Sequence, residues 1–287
     1  MNTSIESGLL VIRTVADLRR AVADFRKAGR TLGLVPTMGA LHEGHVSLVK
    51  GALERGDVPV TSIFVNPTQF GPKEDFSAYP RDEQGDFDKL RDAQCRIVFA
   101  PSKDEMYPGE QLTTVTVAGI TDGLCGPLRP GHFQGVATVV SKLLLMAMPD
   151  RAYFGEKDYQ QLQVIKRMVR DLAMPFEIVG MPTVREKDGL AMSSRNRYLS
   201  AEERTKALVM YKQLVKVADT VRDGTQSCTD ATAAASQALR DGGFDIVEYF
   251  TVVDAGSLAP LERVTGPARV IAAARLGRTR LIDNLAV

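Results

Sequence analysis

Short β-rich runs alternate with longer stretches whose apolar residues recur every three to four positions, and this alternation leaves few folds open to the chain. Thr31 to Val35, Val60 to Val65, Ile97 to Ala100, Ala152 to Phe154 and Phe176 to Val179 read as strands. Between them, HVSLVKGALERG, RDEQGDFDKLRDAQ and DYQQLQVIKRMVRDLAM carry the helical period that buries one face against a sheet. A further helix is predicted from Gly131 to Met148, stopped by Pro149 and Asp150. Strands joined by helical crossovers run parallel, so the pattern predicts an α/β fold built on a Rossmann-like doubly wound parallel sheet.

After Met181 the texture changes. Ser200 followed by Glu203 is a capping-box signature that predicts a long helix through Ala218, and a second helix is expected near Thr229 to Arg240. Ile246 to Val253, Arg269 to Ala274 and Arg280 to Leu285 then read as a small antiparallel sheet. At 287 residues the chain exceeds the ~150 expected of one domain. The division drawn from composition and Pro182 is 1–181 for the Rossmann-like domain and 182–287 for a smaller C-terminal α+β domain.

Several function classes recede on composition. Lys plus Arg (36) nearly cancels Asp plus Glu (35), so the whole-chain field favours neither nucleic acid nor an anionic membrane. The longest apolar run, Leu143 to Met148, falls far short of the ~20 residues of a membrane span, and no signal-peptide core is visible, which predicts a cytoplasmic protein. Cys95, Cys125 and Cys228 are odd in number and widely spaced, predicting buried or idle thiols rather than a disulfide framework or thiolate metal site.

Four stretches carry residues suited to chemistry. In LGLVPTMGALHEGHVSLV a strand runs through a Pro and Gly turn into a helix, with His42 and His45 at the junction. Gly39 and Gly44 let backbone amides approach an anion, and the first helical turn adds unpaired N–H groups. The lesser alternative for an isolated HxGH is that the histidines merely cap or pack at the turn. In FVNPTQF a strand delivers Asn66 and Gln69 into a Pro and Gly loop, where neutral amides suit hydroxyls and carboxylates or simply shape a turn. YFGEKDYQQLQ repeats the strand, turn and helix pattern and adds Lys157, with Gln161 one turn into the helix; Asp158 is also a candidate N-cap. TVREKDGLAMSSRN sets Ser193, Ser194 and Arg195 in a Gly-containing loop that reads as flexible, suited to closing over phosphates or to linking domains.

Taken together, an early HxGH turn and a late basic, Ser-containing loop look like the nucleotidyl-transferring α/β superfamily. The full strings PTMGALHEGH, FVNPTQF, RPGHFQGVATVV, YFGEKDYQQ, TVREKDGLAMSSRN and TRLIDN resemble the pantothenate synthetases in order and spacing, from about Leu34 to Asn284. That resemblance implies an ATP-dependent ligase that condenses pantoate with β-alanine through a pantoyl-adenylate, releasing AMP and pyrophosphate. It assigns ATP and pantoate to the first domain, with the second covering the active site.

The resemblance also implies roles residue by residue. Met38, Gly39, Ala40, Leu41, His42, Glu43, Gly44 and His45 bind the triphosphate, with His42 and His45 steadying the phosphorus and the leaving group and His45 as proton donor. Lys157, Ser193, Ser194 and Arg195 complete the phosphate cage. Gly155, Glu156, Lys157, Asp158 and Val184 hold ribose and adenine, and Met192 packs at the closing loop. Gln69 and Gln161 clasp pantoate, joined in the substrate set by Asn66. Mg²⁺ accompanies ATP, held chiefly by phosphate and water with Asp86 as a weak protein ligand. His132 is expected to make a structural hydrogen bond, and a homodimer is the expected assembly. Two rivals share the motifs: a nucleotidyltransferase releasing a stable product and a non-catalytic nucleotide-binding scaffold. The amide pair points to a free carboxylate substrate.

Overall fold

The structure, a computed structural model, describes residues 4–6, 8–72, 74 and 76–287. The chain divides into two compact units, Met1–Glu156 with Val164–Pro182 and Lys157–Gln163 with Thr183–Val287.

The first unit is built on a seven-stranded sheet. In chain order its elements are β1 (Ser4–Glu6), β2 (Leu9–Ile12), α1 (Val15–Lys27), β3 (Leu32–Thr37), α2 (Glu43–Glu54), β4 (Val58–Ile63), α3 (Glu83–Asp92), β5 (Ile97–Phe99), the short α4 (Lys103–Met106) and α5 (Cys125–Leu128), α6 (His132–Ala147), β6 (Arg151–Gly155), the part of α7 (Tyr159–Asp171) from Val164 onward, and β7 (Glu177–Met181). The strand order is β1-β2-β5-β4-β3-β6-β7. The six strands from β2 to β7 pair parallel, while β1 adds an antiparallel edge. From β3 the chain moves outward on one side to β4 and β5, then returns to the other side for β6. Ligands bind beyond the carboxyl ends of strands at such a reversal.

Burial explains the sheet's composition. β3 and β4 are almost wholly buried, as strands covered on both faces by helices must be. Their opposite ends are tied by Asp57, fully buried, which accepts from Thr31 Oγ1 (2.6 Å), the Tyr153 hydroxyl (2.6 Å) and Arg151 Nη1 (2.7 Å). Burial and the neighbouring carboxylate push the Tyr153 phenol well above its ordinary range.

The second unit packs α8 (Ala201–Lys206), α9 (Leu208–Arg222) and α10 (Cys228–Asp241) with an antiparallel sheet ordered β10 (Thr279–Ala286), β9 (Ala268–Leu276), β8 (Ile246–Asp254). Leu214, Val217, Leu239, Val252, Val270 and Ala272 are among its core side chains. The Ser200 to Glu203 capping box forms, but the single helix predicted through Ala218 is two. They meet at buried Ala207, which keeps right-handed helical angles while Met210 N bonds to its carbonyl at 3.2 Å, a three-residue tightening rather than a turn.

Lys157–Gln163, placed in the first domain by the sequence division, belongs to the second unit. Non-local contacts decide this: the Tyr159 hydroxyl donates to the Ala255 carbonyl at 2.9 Å, and the Arg269 guanidinium lies 3.9 Å from the Tyr159 ring centroid. All three cysteines are free and buried, as expected. Among the described residues no helix is long and apolar enough to cross a membrane.

Candidate active site

Strand β3 ends at Thr37, and Met38 to Leu41 carry the chain to α2, whose N-cap is His42. The two histidines cap this helix reciprocally. His42 Nδ1 accepts from the Gly44 amide at 3.1 Å, and His45 Nδ1 accepts from the His42 amide at 3.4 Å. The rings sit 4.2 Å apart, tilted by 41°. An imidazole nitrogen that accepts an amide hydrogen carries no proton of its own, so in the neutral ring the proton is on Nε2. In a neutral ring capped this way Nε2 is the nitrogen that can donate.

The turn before the cap is strained and held. Gly39 has φ +79° and Ala40 φ +50°, the latter a conformation that costs a residue with a Cβ of order 1 kcal/mol or more. A Cβ on Gly39 would also lie 3.0 Å from Asp86 Oδ2. Asp86, on α3 and 1% exposed, accepts the amides of Ala40 (2.8 Å) and Leu41 (2.7 Å) on its two oxygens, and Thr37 Oγ1 accepts from Gly39 at 3.2 Å. Burial pushes the Asp86 carboxyl up from the usual range against the opposing pull of these two amides. The sequence offered Asp86 as a weak metal ligand; the structure commits both its oxygens to the loop. Among the described residues no group of three or more His, Cys, Asp or Glu is placed to hold a metal.

Beyond β4, Asn66 caps the short 3₁₀ turn Pro67–Gln69. Its amide is engaged throughout: Oδ1 accepts from Thr68 N (3.3 Å), Thr68 Oγ1 (3.1 Å) and the Tyr107 hydroxyl (2.8 Å), while Nδ2 donates to Gln69 Oε1 and the Gly135 carbonyl, both at 3.2 Å. Asn66, 1% exposed and grouped with the substrate-binding residues on sequence, thus shapes the turn that presents Gln69. Gly135 is needed where it stands, because a Cβ there would fall 2.3 Å from the Thr68 carbonyl oxygen.

Gln69 is drawn to the histidine loop, its Nε2 lying 3.0 Å from the Met38 sulfur. Its carbonyl accepts from His132 Nδ1 at 2.8 Å. That bond fixes the His132 tautomer, so Nε2 accepts from Arg129 Nη1 at 2.8 Å, and Arg129 makes a two-pronged ion pair with Glu74, 2.7 Å on each prong. Arg129 holds the Glu74 carboxyl below its ordinary range, although burial opposes it. His132 makes the structural hydrogen bond expected of it. Its partner Arg129 lies in the string RPGHFQGVATVV but was given no role there, and Glu74, which pairs with Arg129, and Tyr107, which pairs with Asn66, were not singled out in the sequence.

In the second unit, Lys157 is half-buried and its carbonyl accepts from Asn284 Nδ2 at 2.9 Å. Gln161 lies in the first turns of α7, and Gly155 and Glu156 end β6 and begin the turn before it. Val184 to Met192 form a short hairpin closed by Met192 N to Val184 O (3.0 Å) and Glu186 N to Leu190 O (2.8 Å). Ser193 then caps the 3₁₀ turn Ser194–Tyr198, accepting from the Arg195 amide at 3.3 Å. Gly189, read as a trace of loop flexibility, is explained by packing: at φ +97° its Cβ would sit 2.3 Å from the Tyr211 ring.

Comparison with known proteins covers almost the whole chain. The family model for pantoate-beta-alanine ligase matches residues 10–286. The pantothenate synthetase of Paramagnetospirillum magneticum is 56% identical over 277 residues, covering 96% of this chain and 97% of that protein. That of Acidiphilium cryptum is 55% identical over 278 residues, covering 96% and 99%. The crystal structure of pantothenate synthetase from Thermus thermophilus superposes with a TM-score of 0.90 at 49% identity, covering 96% and 98%. Pantoate-beta-alanine ligase from Francisella tularensis, solved with beta-gamma ATP and beta-alanine, gives 0.81 at 33% identity, covering 96% and 97%.

Proposed function

This chain belongs to the pantoate-beta-alanine ligase family and is a ligase that condenses pantoate with β-alanine using ATP, and we propose that it does so through a pantoyl-adenylate made at the His42 and His45 turn. The observation that carries this reading is the reciprocal cap, in which Nδ1 of each imidazole meets a main-chain amide of the turn at the carboxyl end of β3. A carboxylate oxygen of pantoate attacks the α-phosphorus, pyrophosphate leaves, and the barrier is set by charge repulsion and by charge growing on the leaving group. Donors that do not reorganise are what that step needs, and helix α2 holds two of them. His45 Nε2–H donates a hydrogen bond to the departing oxygen and so steadies the charge growing there.

Lys157, Ser193, Ser194 and Arg195 supply further donors to the phosphates. Met38 to His45 bind the triphosphate through the turn, Gly155 to Asp158 and Val184 hold ribose and adenine, and Met192 packs beside them. Gln69 and Gln161 bind pantoate with neutral amides, which orient the acid while leaving its attacking oxygen nucleophilic. In the second step the β-alanine amine attacks the acyl carbon, loses a proton and expels AMP. Mg²⁺ enters with ATP, and with Asp86 occupied by backbone amides it is held by phosphate oxygens and water, as this ion prefers. The balanced charge supports an enzyme with no nucleic-acid or membrane partner, and the family resemblance supports a cytoplasmic homodimer.

The intermediate is tested by exchange of radiolabelled pyrophosphate into ATP with pantoate present and β-alanine omitted. Exchange that requires pantoate is expected; none at any Mg²⁺ concentration would remove the adenylate. Replacing Gln69 with alanine is expected to raise the KM for pantoate about 2- to 12-fold, the equivalent of a ~0.5–1.5 kcal/mol hydrogen bond, with the KM for ATP little changed. Steady-state kinetics with each substrate varied in turn check this, and an unchanged pantoate KM sinks the assignment.

A further inference from the structure

The string TRLIDN at the end of the chain has no role in the chemistry above, yet its last two residues each hold a segment that does. Both lie near the end of β10 and both are buried, Asp283 at 4% and Asn284 at 3% exposure. Neighbouring side chains on a strand leave opposite faces, so adjacent residues can reach two different partners.

Asp283 takes a two-pronged ion pair from Arg185, with Nη1 to Oδ2 at 2.6 Å and Nη2 to Oδ1 at 2.9 Å. Arg185 also donates to the carbonyls of Gly189 and Asn284, both at 3.1 Å, and stacks 4.1 Å from the Tyr211 ring centroid. This anchors the root of the hairpin that leads directly into Ser193, Ser194 and Arg195. Asn284 faces the other segment. Its Oδ1 accepts from Arg269 Nη1 at 2.5 Å, and its Nδ2 donates to the carbonyl of Lys157 at 2.9 Å. Arg269, itself stacked on Tyr159 two residues beyond Lys157, takes the oxygen side of the amide and so turns its NH₂ side to that carbonyl.

We propose that Asn284 is a positioning residue for the ATP-dependent step: it fixes the main chain of Lys157, and with its neighbour Asp283 it makes the end of β10 the common anchor of the Lys157 turn and the Ser193 to Arg195 loop. This rests on the reading of Lys157 as a phosphate-binding residue. A rigid strand in a packed sheet is a suitable anchor, because a small misplacement of a positioned cation is costly when the charge it meets develops during the reaction.

The test is Asn284→Asp. It keeps the oxygen that accepts from Arg269 and the side-chain volume, so the buried guanidinium remains paired, but sets an oxygen against the Lys157 carbonyl in place of the donor. The variant is expected to melt close to the parent while kcat/KM for ATP falls roughly 10- to 100-fold, with the KM for pantoate within about twofold. Lys157→Ala and the double variant are measured beside it, and Asn284→Asp is expected to add little in the Lys157→Ala background, since it acts through that residue. Losses that multiply, or an Asn284→Asp enzyme with parental kinetics beside an impaired Lys157→Ala, overturn the anchoring role alone. A Lys157→Ala enzyme with parental kinetics overturns the phosphate assignment on which it stands.

Discussion

Replacing His45 with asparagine is expected to lower kcat about 100- to 1,000-fold while leaving the fold intact. The substitution is chosen for its geometry. Asparagine Oδ1 stands where the imidazole Nδ1 stood, so it can still accept the His42 amide and keep the reciprocal cap of α2. What disappears is Nε2 and its proton. Alanine at the same position removes both functions, adding the ~1 kcal/mol of a lost cap to the loss of catalysis. Comparing the two by thermal unfolding and single-turnover pyrophosphate release separates the structural role from the chemical one. If asparagine retains parental turnover, the histidine is a capping residue only, the lesser of the two readings that an isolated HxGH allows on sequence.

That pair of readings shows what the sequence alone could and could not decide. The strand, turn and helix around His42 and His45 were legible because every signal there is local: an apolar strand, glycines for the turn, and the three-to-four period of α2. The same holds for the small C-terminal sheet and the Ser200 capping box. By contrast, β2 was not among the predicted strands, although it is no shorter than β5, which was. The break at Ala207 carries no glycine or proline to announce it. Lys157–Gln163 lies within an unbroken strand, turn and helix pattern, so nothing local reveals that Tyr159 is held by Ala255 and Arg269, about a hundred residues later.

The site residues divide along the same line. Side chains proposed to meet substrate sit in recognisable strings, whereas those holding them in place come from distant elements. Asn66 looked like a ligand because an asparagine after a strand is a good one, and only the five hydrogen bonds around its amide show it shaping the turn of Gln69. Arg129 and Glu74, the ion pair that supports His132, stand 55 positions apart, a distance no spacing rule spans.

Asp86→Ala is the substitution expected to cost most in stability, about 2–5 kcal/mol, and its reason is the one that removes Asp86 from the metal ligands. The carboxylate is the partner of two buried amides, and each buried donor left unsatisfied costs ~1–3 kcal/mol. Ala40 stays at positive φ only because its surroundings hold it there, so the loop should relax and carry the turn of His42 with it. Activity is therefore expected to fall with stability, and Asp86→Asn, with one acceptor oxygen retained, should lie between. Denaturant unfolding measures the first effect and kcat/KM across a Mg²⁺ titration the second. A metal ligand and a loop anchor differ in the titration: loss of a ligand weakens Mg²⁺ affinity and is recovered by excess metal, while loss of the anchor leaves Mg²⁺ dependence unchanged. Recovery of parental activity at high Mg²⁺, with parental stability, would return Asp86 to the coordination shell.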